Sequence, residues 1–171
     1  MSPMPTSRRS ADTNWELIAD SLRQELAGYG GLLRLFQVQQ RALLESDSDA
    51  VVLQGTSIET LARSLADCRR RREHLVSAFA AKHGRPEDST LRSLLSLIDV
   101  NARPLLEALM VEVNHLLMRV LRASRHNQSL LDRAVKAQRT AMQLLTPRSR
   151  TKKTGKAQDD FPAEADLRAA G

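Results

Sequence analysis

The sequence predicts an all-α protein: an elongated antiparallel helical hairpin plus a long C-terminal helix, in a three-helix bundle or coiled coil with disordered tails. Three observations support this fold class. Hydrophobic residues make up 42% of the chain but aromatic residues only 3%, a profile that favours helices over sheets. Apolar side chains recur every three or four residues along three long segments, as a helix with one buried face requires. Short polar breaks separate these segments.

The first helix is predicted from a heptad repeat of large apolar residues, at Trp15, Leu22, Tyr29, Phe36 and Leu43. A spacing of seven places them on one buried stripe, and Thr13 or Asn14 can cap the start of the helix. Glycines surround the tyrosine in the middle of this segment. They indicate either a bend in the helix or the close approach of another backbone.

The second helix is predicted after the polar segment ESDSD, residues 45–49. Its apolar stripe runs from Val51 to Phe79, and a short turn between two helices of similar length makes them antiparallel. The run RRRR at residues 69–72 spans more than one helical turn. At least one guanidinium must therefore approach the seam, the line along which the second helix packs against its neighbour. We interpret the run as a solvated face, with an anion or partner contact as the alternative.

The third helix is predicted from the longest stripe, which runs from Leu91 to Leu144. Gly84 suits the end of the preceding helix, and Pro86 suits the start of this one. Because Pro104 removes a backbone hydrogen bond, we expect a kink or a break between residues 99 and 104. The segment from 104 to 145 would measure about 63 Å, and two helices of about 50 Å each would not cover all of it.

The domain organisation follows from where the periodicity begins and ends. We expect a disordered N-terminal tail over residues 1–12, a helical domain over residues 13–146 and a flexible basic tail over residues 147–171. The net charge is +6, but residues 15–146 hold 18 cations and 15 anions. A body this close to balance is weak support for binding nucleic acid through residues 69–72 and the basic tail, so that interpretation ranks third.

The residue pattern lacks the usual signatures of catalysis and of metal binding. Cys68 is the single cysteine, and neither a phosphate-binding loop nor a nucleophile elbow occurs. Glu112 and His115 form one Glu-x-x-His pair, whereas a ferritin-like di-iron site needs two such pairs and two further glutamates. With no signal peptide and no membrane-spanning run, we expect a cytoplasmic protein that is not an enzyme and needs no cofactor or metal.

The segment RHNQSLLDRAVKAQRTAMQLL, residues 125–145, carries apolar residues on two neighbouring stripes. The first stripe contains Leu130, Ala134, Ala137, Ala141 and Leu144. The second contains Leu131, Val135, Gln138, Met142 and Leu145. Together they form an apolar arc wider than one helix contact needs. Either both stripes are buried within the bundle, or one packs against the chain's own helices while the other binds an amphipathic helix from a partner.

Residues 126–145 also resemble the last-helix motif of the FlgN family of flagellar type III export chaperones. The similarity consists of Asn127, the pair Leu130 and Leu131 three residues later, and an amphipathic run to a second Leu-Leu before a proline-containing tail. The layout of the remaining chain is similar too, with a first helix from Trp15 to Leu44 and an arginine-rich second helix.

The resemblance implies a cytoplasmic chaperone of bacterial flagellum biogenesis that takes part in type III protein transport. It would bind C-terminal amphipathic helices of hook–filament junction proteins of the FlgK and FlgL kind, keep them unassembled and deliver them to the flagellar export apparatus. By match, the implied substrate-binding residues are Asn127, Leu130, Leu131, Val135, Met142 and Leu145. Nucleic acid and membrane insertion are not expected. A structural coiled-coil protein that self-associates as a homo-oligomer through the same arc is the alternative.

Overall fold

The computed structural model describes residues 9–146, and the side chains of residues 14–146. Its elements are α1 (Arg9–Glu45), α2 (Ser48–Lys82), α3 (Leu91–Leu94), a 3-10 turn (Leu95–Leu97) and α4 (Arg103–Leu145). No strand occurs in this range, so the predicted all-α class is confirmed. Helix α1 begins four residues before the expected cap at Thr13. The N-terminal tail was predicted over residues 1–12, and its last four residues belong to α1 instead. Residues 1–8 and the tail predicted at 147–171 lie outside the described residues.

The three long helices run up, down and up along one rod, with α1 in contact with both others. Helix α1 packs along α2 and along α4, whereas α2 and α4 have few direct contacts. Leu65 of α2 lies at the level of Gly28, and Asn127 of α4 lies at the level of Gln39. Helix α4 is therefore parallel to α1 and antiparallel to α2.

The seam between α1 and α2 is narrow where the glycines lie. A Cβ atom added to Gly28 would lie 2.6 Å from Cδ1 of Leu65, and one added to Gly31 would lie 3.0 Å from Cδ2 of Leu61. Helix α1 continues through these residues without a break. The glycines therefore admit the leucine side chains of α2, rather than another backbone as the sequence had suggested.

The arginine run is divided between the seam and the surface. Arg72 provides the guanidinium that was predicted to approach the seam, and its Nε donates to Oε1 of the fully buried Glu25 at 2.5 Å. Arg70 pairs on the surface with Asp67. Burial raises the pKa of Tyr29 above its ordinary value of 10.0, and this outweighs the lowering effect of nearby Arg69.

Each end of α2 adjoins a turn that places one residue in the left-handed region. After α1, Ser46 has φ 58°, and the N–H of Asp47 donates to the carbonyl of Ala42 at 2.9 Å. After α2, Gly84 has φ 64°, and the N–H of the next residue donates to the carbonyl of Ala80 at 2.9 Å. Both are Schellman closures. Asp47 also caps α2 by accepting from the N–H of Ala50, as the ESDSD segment predicted.

The segment after α2 closes one end of the rod. Pro86 does not begin a helix as predicted; its carbonyl accepts from Ser89 in a turn, and Thr90 caps α3 instead. Five apolar residues of this segment are buried in the core: Leu91, Leu94, Leu95, Ile98 and Ala102. We call residues 91–102 the closed end.

The expected break before Pro104 is confirmed. The Asp99 side chain accepts from the N–H of Asn101 at 2.8 Å, and α4 then starts with Pro104 in its first turn, where a missing N–H removes no intrahelical bond. The fresh start changes one position of the predicted stripe. The stripe placed Leu105 inside, but Leu105 is 38% exposed and Leu106 is fully buried, whereas Val113 and Val120 are buried as predicted.

Candidate helix-binding groove

Burial along α4 ends abruptly beyond its middle. The fully buried positions, spaced by seven, are Leu106, Val113, Val120 and Asn127. In contrast, every residue from Leu131 to Thr146 is exposed. The apolar arc predicted for residues 130–145 is therefore largely uncovered. Neither expected arrangement holds over its last turns, because both stripes are open to solvent there.

The length of α4 explains this exposure. Since Asn127 is level with Gln39, the last residue of α1, Glu45, is level with roughly residue 133 at the same rise per residue. Roughly twelve residues of α4 then extend past the hairpin, over about 18 Å. We call residues 134–145 the overhang. The sequence-based expectation that the hairpin cannot cover all of the last helix is thus met in this parallel arrangement.

The exposure is greatest at the tip of the overhang. Met142 is 63% exposed, Leu144 81% and Leu145 82%. Leu131 and Val135 are 36% and 38% exposed, because they lie beside the tip of the hairpin. An uncovered set of large apolar side chains of this size on one helix face is typical of a protein-binding surface.

A groove opens between α2 and α4, with the last turns of α1 as its floor. Its inner part has a volume of about 200 Å³ and reaches from Phe36 and Ile58 to Asn127. Its outer part has a volume of about 470 Å³ and continues to Ala134 and Val135. Both parts share three lining residues: Leu43, Val51 and Leu131. The groove is therefore continuous with the exposed arc of the overhang.

Asn127 anchors α4 where the groove begins. It is 4% exposed, and its Nδ2 donates to the Phe36 carbonyl at 2.8 Å and to Oε1 of Gln39 at 3.0 Å. Beside it, Gln40 and His126 share a hydrogen bond of 3.2 Å. The amide of Asn127 is thus engaged with the chain's own α1, so this residue positions the wall of the groove.

The other predicted site residues occupy different depths of the surface. Leu131 and Val135 line the groove, and Leu130 is half-buried on the neighbouring stripe. Met142 and Leu145 lie farther along, on the overhang. The sequence predicted these α4 residues as one surface, but it did not predict which residues form the opposite wall of the groove.

The wall contributed by α2 comes from residues that the sequence did not single out for binding. Val51 was placed on a buried stripe, and Val52 was not noticed, although both line the groove. Val52 is 69% exposed and Leu53 64%. An apolar pair outside the stripe, Val52 and Leu53, within the first two turns of α2, was the available signal.

The described residues give no indication of a metal centre or a membrane span. No group of three or more His, Cys, Asp or Glu side chains within residues 14–146 is placed to hold a metal ion. Among the helices of residues 9–146, none is long and apolar enough to cross a bilayer. Cys68 is buried at the seam, where its Sγ contacts Ser21.

A rod of three long helices with an open apolar groove at one end is the architecture of an α-helical binding protein. The chain matches the family model described as FlgN protein over residues 15–158. It therefore belongs to the FlgN family, the family of flagellar export chaperones, and the resemblance seen in the last helix is confirmed. No match to a curated protein or to a solved structure was found.

Proposed function

We propose that this flagellar export chaperone binds C-terminal amphipathic helices of FlgK-like and FlgL-like hook–filament junction proteins in the groove between α2 and α4. Binding keeps these proteins unassembled in the cytoplasm until they reach the export apparatus, and it involves no enzymatic step. The observation that carries the proposal is the exposed apolar arc of α4, which continues into an apolar groove without a break.

The shape of the site suits a helix. From Asn127 to Leu145, the open face of α4 is about 27 Å long, which matches a partner helix of roughly eighteen residues. Such a helix would lie on the end of α1, with Val52 on one side and Val135 on the other. It would complete a four-helix arrangement beside the groove, where α1, α2 and α4 are all present, and would pair with α4 alone along the overhang.

The magnitude of the apolar contact fits reversible binding. A fully buried large apolar side chain contributes about 1.5–3 kcal/mol. Four or five such side chains would contribute about 6–12 kcal/mol before the cost of association, which is itself about 4–15 kcal/mol. The balance is compatible with a contact that holds a partner and later releases it.

Calorimetry with a synthetic C-terminal helix of a junction protein tests the proposal. In the test variant, Leu131→Ser is combined with Val135→Ser; both residues line the groove. In the matched control, Val111→Ser is combined with Met118→Ser, which are 60% and 53% exposed on the same helix. We expect at least about tenfold weaker binding for the first variant, or about 1.4 kcal/mol, and an unchanged Kd for the control. Equal affinities for both variants would place the site elsewhere.

Light scattering of the purified chain separates this function from self-association. For a chaperone of this kind, we expect the mass in the presence of peptide to be that of a single chaperone–peptide complex. An oligomer that persists when the peptide is added in excess would instead support a structural coiled-coil protein that uses the same arc.

A further inference from the structure

The polar side of α4 changes charge along the rod. Residues 103–118 contain one cation and two anions, whereas residues 119–145 contain six cations and one anion, Asp132. The six cations are all exposed: Arg119, Arg122, Arg125, Arg133, Lys136 and Arg139. We call these six residues the basic face.

The basic face lacks ion pairs within residues 14–146, unlike the hairpin. Four arginines of the hairpin pair with carboxylates, as Arg23 does with Asp20 and Arg63 with Glu59. On α4, the carboxylate of Asp132 accepts from Gln128. Cations that repeat every three residues repel one another on a helix. An anionic partner outside the chain would relieve this repulsion.

Most of the basic face and the groove lie on different sides of α4. At 3.6 residues per turn, Arg122, Arg133 and Lys136 point away from the side that carries Leu131, whereas Arg139 lies between the two sides. From its first to its last residue the basic face is about 30 Å long. A helix in the groove would therefore leave most of it open.

We propose that the basic face is an electrostatic docking site for the surface of an anionic phospholipid bilayer. A broad band of cations along the outside of a rod fits an extended anionic surface. The sequence continues this charge, because residues 147–158 add five cations and no anion. A cluster of cations on and beside an amphipathic helix is the pattern that binds anionic lipid headgroups.

Single-stranded nucleic acid fits the same face less well. Proteins that hold single strands usually stack bases on aromatic side chains. Among the described residues, the aromatic ones lie in the hairpin: Trp15, Tyr29, Phe36 and Phe79. Helix α4 contains no Phe, Tyr or Trp. The basic face thus offers charge without a stacking platform.

Co-sedimentation of the full chain with vesicles tests the docking site. We expect binding to vesicles of phosphatidylcholine mixed with phosphatidylglycerol and none to phosphatidylcholine alone. Raising NaCl from about 0.1 M to about 1 M shortens the Debye length from about 10 Å to about 3 Å, and should release the protein. Absence of binding at low salt, or equal binding to neutral vesicles, would overturn the proposal.

Two variants that lose the same number of positive charges at different places test which part of the surface contacts the vesicle. The test variant combines Arg122→Gln, Arg133→Gln and Lys136→Gln. The control makes the same loss of three charges on the hairpin, at Arg34, Arg63 and Arg71. Glutamine preserves helix propensity, and circular dichroism checks that both variants fold. We expect at least about tenfold weaker vesicle binding for the first variant and less than about twofold for the second.

Two further results would overturn the assignment. Equal losses in both variants would mean that net charge alone drives binding. Duplex DNA that displaces the protein from anionic vesicles at equal phosphate concentration would identify nucleic acid as the preferred occupant. The test variant should also bind the junction-protein helix with unchanged affinity in calorimetry, since the basic face lies apart from the groove.

Discussion

The two ends of α4 carry similar apolar patterns but have opposite surroundings. At the closed end, Leu106 is fully buried beneath residues 91–102. At the overhang, Leu144 and Leu145 repeat large apolar side chains at the same helical spacing, yet they are 81% and 82% exposed. The periodicity of a helix sets which side is apolar, and the lengths of the neighbouring helices decide whether that side is covered.

The difference follows from how each end is built. At the closed end, before α4 begins, the chain forms a short helix and a 3-10 turn that add buried leucines to the core. At the other end, the hairpin turns within two residues, at Ser46 and Asp47, and α4 continues beyond it. One end is therefore completed by the chain itself, and the other offers an apolar surface to a partner.

The largest expected effect comes from removing the same side chain at each end. Leu106→Ala leaves a cavity beneath the closed end and should lower the free energy of unfolding by about 2–5 kcal/mol. Leu145→Ala removes a side chain that is already 82% exposed, and should change the free energy of unfolding by less than about 0.5 kcal/mol. Urea denaturation measures both. Comparable losses in the two variants would mean that the overhang is buried in solution.

Asn127 marks the border between the covered and uncovered parts of α4. Asn127→Ala leaves the Gln39 side chain without its partner and opens the contact with α1, so we expect a loss of about 1–3 kcal/mol in the free energy of unfolding. Its exposed neighbour provides the control, because Gln128→Ala should be nearly neutral. A neutral result for Asn127→Ala would remove its role as the anchor of the groove.

The smallest expected effects on the free energy of unfolding come from the two turns that flank α2. Ser46 adopts φ 58° with a side chain present, whereas Gly84 adopts φ 64° without one. Ser46→Gly should therefore raise the free energy of unfolding by up to about 1 kcal/mol, and Gly84→Ala should lower it by about 1–2 kcal/mol. Thermal denaturation of both variants checks the opposite signs. A loss of stability in Ser46→Gly would indicate that the serine side chain contributes to the turn.

Much of the fold could be predicted from the sequence because its signals are local. The heptad from Trp15 to Leu43, the polar break at residues 45–49 and the break before Pro104 are each set by residues that are close in sequence. One position after Pro104 was predicted wrongly, since a helix that starts afresh need not continue the stripe before it. Leu106 rather than Leu105 is buried there, whereas Val113 and Val120 of the predicted stripe are buried as expected.

The site could be predicted only on the α4 side. The double stripe of residues 130–145 indicates a surplus of apolar surface without reference to any other helix. The hydrogen bonds of Asn127 with α1 and the contribution of Val52 depend on where α1 and α2 lie relative to α4, which is a long-range property. No pattern within either segment carries that information.

Amide hydrogen exchange along α4 in the free protein tests most directly whether the overhang is uncovered. We expect residues 106–127 to be protected and residues 134–145 to exchange at least about 100-fold faster, because a helix without tertiary contacts opens locally. Addition of the junction-protein helix should slow exchange in the overhang and leave the closed end unchanged. Uniform protection along the whole of α4 in the free chain would contradict the account.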